Sequence, residues 1–297
     1  MSAGTATAGS PVIAGHGGSL GAVTSAELFK LVRRPATWVL LGLWPSVQLV
    51  FSLAIPYISY LQGNSYEGSS PEALLSDALP HRLVLNSTSG LPLFGGALVL
   101  TLGAVIAGSE YVWGTQKTLL AQGPRRLTVL AGQLLAFVVV FTGAVAVSFL
   151  LTAAGSWAIA GAESAPVDWP GMAELARGVG GAVLIGTTWG VLGMLLGTAL
   201  RGTALAVGLG LVWILAVESL VVNVAAPLLD FFDAVQSGLP GVNGGSLVAA
   251  LAGSGAHLRT PGVAAIVGGP QAAWVLAGYL VLFTGLTALL VERRDVV

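Results

Sequence analysis

Apolar residues come along this chain in six runs separated by polar stretches, at about 38–61, 91–108, 127–152, 178–200, 203–222 and 270–291. A helix needs roughly 20 apolar residues to cross about 30 Å of hydrocarbon. Each run therefore predicts one membrane-spanning helix. Only Arg201, Gly202 and Thr203 interrupt the fourth and fifth runs. Joined, those runs would make one helix of roughly 45 residues, too long for a single span, so a tight turn at Arg201 is predicted. Pro45 and Pro56 fall inside the first run. Each lacks the N–H that a helix interior needs, so a kinked first span is expected.

Composition turns these runs into a class. Hydrophobic residues make up 55% of the 297 and charged residues 8%, where a soluble domain carries about 25% charged. Such a chain cannot cover a water-facing surface, and lipid must be most of its solvent. The expected fold is all-α: a polytopic membrane protein with six transmembrane helices and an N-terminal interfacial helix. The net charge of −1 argues against a nucleic-acid partner. There is no cysteine, and His16, His81 and His257 are scattered. No disulfide, metal site or catalytic residue is therefore expected.

Six spans place both termini on one side, and Lys and Arg decide which. Lys30, Arg33, Arg34, Lys117, Arg125, Arg126, Arg201, Arg293 and Arg294 fall on the side of the termini. Arg82, Arg177 and Arg259 fall on the other. That bias predicts a multi-pass protein of the cell membrane with both termini cytoplasmic. The external loops are then about 62–90, 153–177 and 223–269.

Residues 1–22 are almost all small or apolar and lack charge. They have no basic region followed by a continuous apolar core, so they do not read as a signal peptide. A disordered tail is expected there, with one transmembrane domain over 23–297. Residues 24–35 read TSAELFKLVRRP. Ser25 is a candidate cap for a short helix. Leu28, Leu31 and Val32 share one face, and Lys30, Arg33 and Arg34 are expected towards headgroups, as in an interfacial helix. A plain positively charged anchor for the first span is the alternative.

Between the second and third runs lies GSEYVWGTQKTLLAQGPRR, residues 108–126. It concentrates Glu110, Lys117, Arg125 and Arg126 in a chain with few charges. On the predicted topology it faces the cytoplasm. Glu110 stands where a helix could begin, and an acid suits a helix N-terminus. Gly114 costs about 1 kcal/mol against Ala in a helix, which marks a bend or a close approach. Gly123 and Pro124 end the segment. Arg125 and Arg126 are expected to hold the next span at the headgroups. An ordinary positively charged loop is the alternative reading.

No ATP-cradling G-x-x-x-x-G-K-[ST] loop is possible, because Lys30 follows Phe29 and Lys117 follows Gln116. No H-E-x-x-H or G-x-G-x-x-G pattern is present either. If ATP drives this chain, another chain supplies the ATPase.

Glu110, Gly114, Thr115, Lys117, Leu119 and Leu120, followed by Pro124 and Arg126, resemble the E-x-x-x-G-T-x-(K/R)-x-L-L…P-x-R signature of ABC-2-type transporter permeases. The resemblance implies that this segment, with Trp113 and Arg125, is the hairpin that fits a cleft in the ATPase subunit. Residues 24–35 are similar to the family's elbow helix. Leu239-Pro240-Gly241 through Leu251 resemble its partly buried segment between spans five and six. Gln133 departs from the family, whose members usually place a Lys there. The resemblance covers about 24–297. It implies the permease subunit of an ATP-driven exporter that is not itself an enzyme. Its expected partners are an ABC ATPase, which binds the ATP, a second permease subunit (identical or related) and membrane lipid.

Three further features carry alternatives. Glu218 is the only carboxylate within an apolar run. It either faces a translocation path or partner helix, or is a structural carboxylate bonded to neighbouring helices. Gly186, Gly190, Gly193 and Gly197 lie at i, i+4, i+7 and i+11 on one helix face. They suit close packing within the subunit, a dimer seam or a smooth path wall. Asn86-Ser87-Thr88 matches a glycosylation acceptor and receives no function. The competing functions are an ion-coupled secondary transporter, which needs intramembrane ionisable pairs, and a non-transporting structural or regulatory subunit.

Overall fold

A computed structural model describes residues 19–112, 125–253, 258 and 260–293, apart from the side chain of Asp233. The fold is 82% helical, with no strand among the described residues. Six helical segments are long and apolar enough to cross a membrane: Pro35–Leu61, Pro80–Val112, Arg126–Ala162, Met172–Leu200, Thr203–Ala225 and Gly269–Arg293. They match the six apolar runs in order, and we number them as spans one to six.

Several helix boundaries differ from those the apolar runs predict. Span three continues ten residues past 152, to Ala162. Five of the ten residues from 153 to 162 are alanine, which favours helix. At about 1.5 Å per residue it is roughly 55 Å long, well beyond a hydrocarbon core. Residues assigned to loops also form helices, at Pro71–Ala78, Leu83–Thr88 and Pro240–Leu251. The expected tail ends earlier than 22, because the N-terminal helix runs Leu20–Arg33 with Ser19 as its cap. Residues 1–18 lie outside the described residues. Ser25 is not the cap: its hydroxyl donates to the Gly21 carbonyl at 2.8 Å, inside the helix.

Span one is interrupted between its prolines, while the helix Pro35–Leu49 runs through Pro45 unbroken. A wide π turn at Val50–Ala54 separates Pro35–Leu49 from Ile55–Leu61. The Ile55 N–H reaches back five residues to the Val50 carbonyl, and Pro56 follows with no N–H to donate. Pro92 sits in a similar turn at Leu91–Gly95 that opens the long helix of span two. The far end of span one is tied to the end of span three. Tyr57 and Tyr60 each donate a hydroxyl hydrogen bond to Glu163, at 2.8 and 2.9 Å.

Spans two and four are the core of the bundle. Burial covers 67% and 61% of their apolar windows, against 17–33% for the other four. Their contact is made by glycine. A Cβ on Gly193 would land on the Leu100 carbonyl, and one on Gly103 would land on the Gly190 carbonyl. Gly197 likewise lies against Ala104 and Gly108. Gly186 and Gly190 instead make room for the Phe141 and Phe137 rings of span three. Those rings stack at 5.9 Å, and Phe141 stacks on Trp44 of span one at the same distance. All four glycines of the stripe are buried within the chain. Small residues allow backbones to approach this closely, and van der Waals contact then holds the helices where lipid supplies no hydrophobic drive.

The tight turn between spans four and five falls at Arg201, in the left-handed conformation (φ 52°, ψ 35°). That conformation crowds a Cβ and is normally taken by glycine after a helix. Arg201→Gly is expected to raise stability by about 1 kcal/mol, read as a higher thermal midpoint in detergent. A lower midpoint would mean that the arginine side chain makes a contact worth more than the strain.

Candidate functional site

At the end of the bundle where span one starts and span two ends, four charged side chains from three segments meet. Glu27 and Lys30 come from the N-terminal helix, Arg34 from its C-terminal cap and Glu110 from the last turns of span two. Lys30 Nζ lies 2.7 Å from Glu27 Oε1 and 2.9 Å from Glu110 Oε1. Arg34 adds a guanidinium 4.0 Å from Glu110 Oε1, and its other terminal nitrogen donates to the Val105 carbonyl at 3.4 Å. Glu27 and Glu110 are buried, at 4% and 5% exposure.

This geometry corrects two expectations. Lys30 and Arg34 do not point towards headgroups. They turn inwards, because a buried carboxylate 80 residues away must be neutralised. Only Arg33 stays exposed, stacked over Phe29 at 4.7 Å from the ring centroid. Nor does Glu110 begin a helix. It lies near the C-terminal end of Gly96–Val112, where the helix dipole disfavours an acid. Two cations offset what the dipole makes worse. Leu31 is buried, but Val32, placed on the same face, is half exposed.

The N-terminal helix lies across the start of span three, with Val23 against Gly132. Arg125 is exposed. Arg126, expected at the headgroups, instead donates to the Val291 carbonyl at 3.3 Å. A cation there satisfies a terminal carbonyl of span six and suits its dipole. The base of the 108–126 segment is thus fixed on both sides, by Lys30 and Arg34 at Glu110 and by span six at Arg126. Trp113, Gly114, Thr115, Lys117 and Pro124 lie outside the described residues.

Glu27 was not singled out from sequence. Burial raises its pKa above the usual carboxylate range, and the hydrogen bond and charge of Lys30 only partly offset this. A carboxyl whose folded pKa lies above its unfolded one binds protons more readily in the folded state. Its stabilising share is complete below the unfolded pKa, near 4.5, and is lost as pH rises through the folded value. The thermal midpoint is therefore expected to fall over that window, and Glu27→Gln is expected to flatten the fall. An unchanged profile in Glu27→Gln would remove Glu27 as the cause.

Glu218 lies at the far end of span five, flanked by wide turns at Val212–Val217 and Val221–Ala225. It is 5% exposed. Trp213 Nε1 donates to its Oε1 at 2.8 Å, and its Oε2 lies against Gly241 in the first turn of Pro240–Leu251. An acid at that helix N-terminus satisfies a backbone N–H and the dipole. Its carboxylate thus joins span five to the start of Pro240–Leu251. The helix it caps is buried along most of its length. Ser246 there accepts from the Ile266 and Val267 N–H groups at 3.2 Å, binding the following loop. The glycosylation match does not survive burial: Asn86 is 7% exposed and its amide donates to the Asp77 carbonyl.

No group of acidic or histidine side chains suited to a metal ion occurs among the described residues. No protein-family model and no curated protein sequence matches this chain.

Proposed function

We propose that this chain is the membrane-embedded permease subunit of an ATP-driven transporter, an exporter, coupled to a separate ATPase through residues 108–126. On this reading the end bearing Lys30, Glu110, Arg126 and Arg201 is cytoplasmic, as the distribution of Lys and Arg predicts. A second permease subunit and a pair of ATPase subunits complete the assembly.

The observation that carries the reading is the charged knot at Glu110. Glu110 is the first residue of the segment resembling the ABC-2 signature. A segment that receives force must be braced where it joins the bundle. Here the joint is ion-paired to the N-terminal helix through Lys30 and Arg34 and bonded to span six through Arg126. Displacement of the hairpin would then pass to spans one, two, three and six together. The chain carries no phosphate loop, so the ATPase must be another chain. The ion-coupled alternative has less support, because Glu218 is engaged in capping a helix rather than in an ionisable pair.

The test is purification of the tagged chain in mild detergent from cells that also make its ATPase. A phosphate-loop ATPase should copurify at about one per permease chain. Gly114→Trp should reduce its yield severalfold without changing how the permease itself elutes. Equal copurification with Gly114→Trp would remove the hairpin from the docking surface. The absence of any nucleotide-binding chain from the wild-type preparation would favour the non-transporting reading.

A further inference from the structure

A groove of about 680 Å³ runs between spans one, two and five, under the loop at 260–263. Its volume suits a drug-sized molecule. Leu43, Phe51, Phe94 and Leu215 line it and are also exposed at the bundle surface, so it opens sideways to the bilayer.

Apolar walls alone would hold a lipid tail. This groove has in addition a polar band and an acidic mouth. Gln48, Ser52, Asn86 and Ser89 form the band. Gln48 is fixed by the hydrogen bond its side-chain amide donates to the Asn86 backbone carbonyl at 2.6 Å. Ser52 and Ser89 face each other with their hydroxyl oxygens 3.5 Å apart, at the limit of a hydrogen bond. Both hydroxyls can therefore serve a guest. At the mouth stand Glu67 and Asp77, the only charged residues among the described ones that line the groove. Asp77 is held 3.7 Å from Arg82, and Glu67 is the exposed acid of the two.

Glu67 is placed there at a cost. Tyr66 and Ser69 exchange backbone hydrogen bonds around a tight turn. Both central residues have positive φ, 48° at Glu67 and 77° at Gly68. Such a turn favours Asn, Asp or Gly at its first central position, and a longer side chain is strained there. Strain of this kind gathers where a side chain must be aimed.

We infer that this groove binds a hydrophobic cation, with the apolar body between spans one, two and five and the positive charge towards Glu67. The inference concerns binding alone and stands independently of any ATPase.

The chain contains no cysteine, which permits a clean protection assay. Ser52→Cys is introduced into the full chain in phosphatidylcholine nanodiscs, and its rate of alkylation by N-ethylmaleimide is followed. Tetraphenylphosphonium should slow alkylation saturably, by at least about fivefold. Tetraphenylborate, of the same shape and opposite charge, should not. Val139→Cys on the lipid-facing surface should be slowed by neither. Leu98→Trp should fill the groove and abolish protection. Glu67→Lys, at an exposed turn and with the same backbone cost, should raise the half-saturating concentration about fivefold or more. Equal slowing by both ions would mean that the groove takes apolar bulk without regard to charge, and would overturn the inference. So would an absence of slowing, as when acyl chains fill the groove, or protection unchanged in Glu67→Lys.

Discussion

Glu110→Lys is expected to cost about 3–5 kcal/mol of stability, the range for breaking a buried ion pair from one side. The new ammonium would sit among Lys30 and Arg34 at a site only 5% exposed. Glu27 alone would remain to balance three cations. The thermal midpoint in detergent should fall sharply, with a larger share of the protein aggregated. The double variant Lys30→Glu, Glu110→Lys restores two acids and two bases among the same four positions. It should recover a substantial part of the loss, since neighbouring charges do not act additively. If Glu110→Lys is as stable as the wild type, or if the double variant is no better than the single one, the knot does not hold the N-terminal helix to span two.

The second large effect is expected at the crossing of spans two and four. Gly193→Ala adds one methyl group, and its Cβ would meet the Leu100 backbone carbonyl. No side chain can rotate out of the way, so the helices themselves must separate. Overpacking of this kind costs about 1–3 kcal/mol and occasionally more, and Gly193 belongs at the upper end because its neighbour is backbone. Gly143→Ala is the matched control. Gly143 also lies within a span, but nothing stands within 4 Å of where its Cβ would be. Alanine there should be neutral or stabilising, by up to about 1 kcal/mol. Similar behaviour of the two variants would show that close approach at Gly193 is not what holds the core together.

Six spans, an irregular helix in span one before Pro56 and the turn at Arg201 were legible because each is written locally. Apolar length, a missing N–H and a break in a run need no knowledge of the rest of the chain. The ends of the helices were less legible. Span three was ended at 152, although the residues that follow carry no charge before Glu163 and their alanines extend the helix to Ala162. Ser25 looked like a cap because it precedes a charged amphipathic stretch, yet Ser19 takes that role and draws Gly21 and Ala22 into the helix.

The site was legible only by element. The N-terminal helix and the segment beginning at Glu110 were singled out separately, and nothing local joins Lys30 to a residue 80 positions later. Local periodicity sent Lys30 and Arg34 to the surface, and a distant buried carboxylate turned them inwards. Glu27 was missed for the same reason, since an acid beside three bases reads as a solvated face. Glu218 was visible as an anomaly, but its contacts depended on a helix, Pro240–Leu251, that begins more than 20 residues later. The glycine spacing named the packing face, while its partners Leu100, Phe137 and Phe141 lie on other spans.

The most direct test of the proposed coupling uses a single cysteine in this cysteine-free chain. Thr115→Cys carries a photoactivatable maleimide cross-linker, and the permease is copurified with its ATPase and irradiated. The adduct should join the permease to the nucleotide-binding chain. The same cross-linker on Glu67→Cys, at the opposite end of the bundle, should give none. An adduct from position 67 and none from position 115 would contradict both the docking surface and the orientation proposed for the chain.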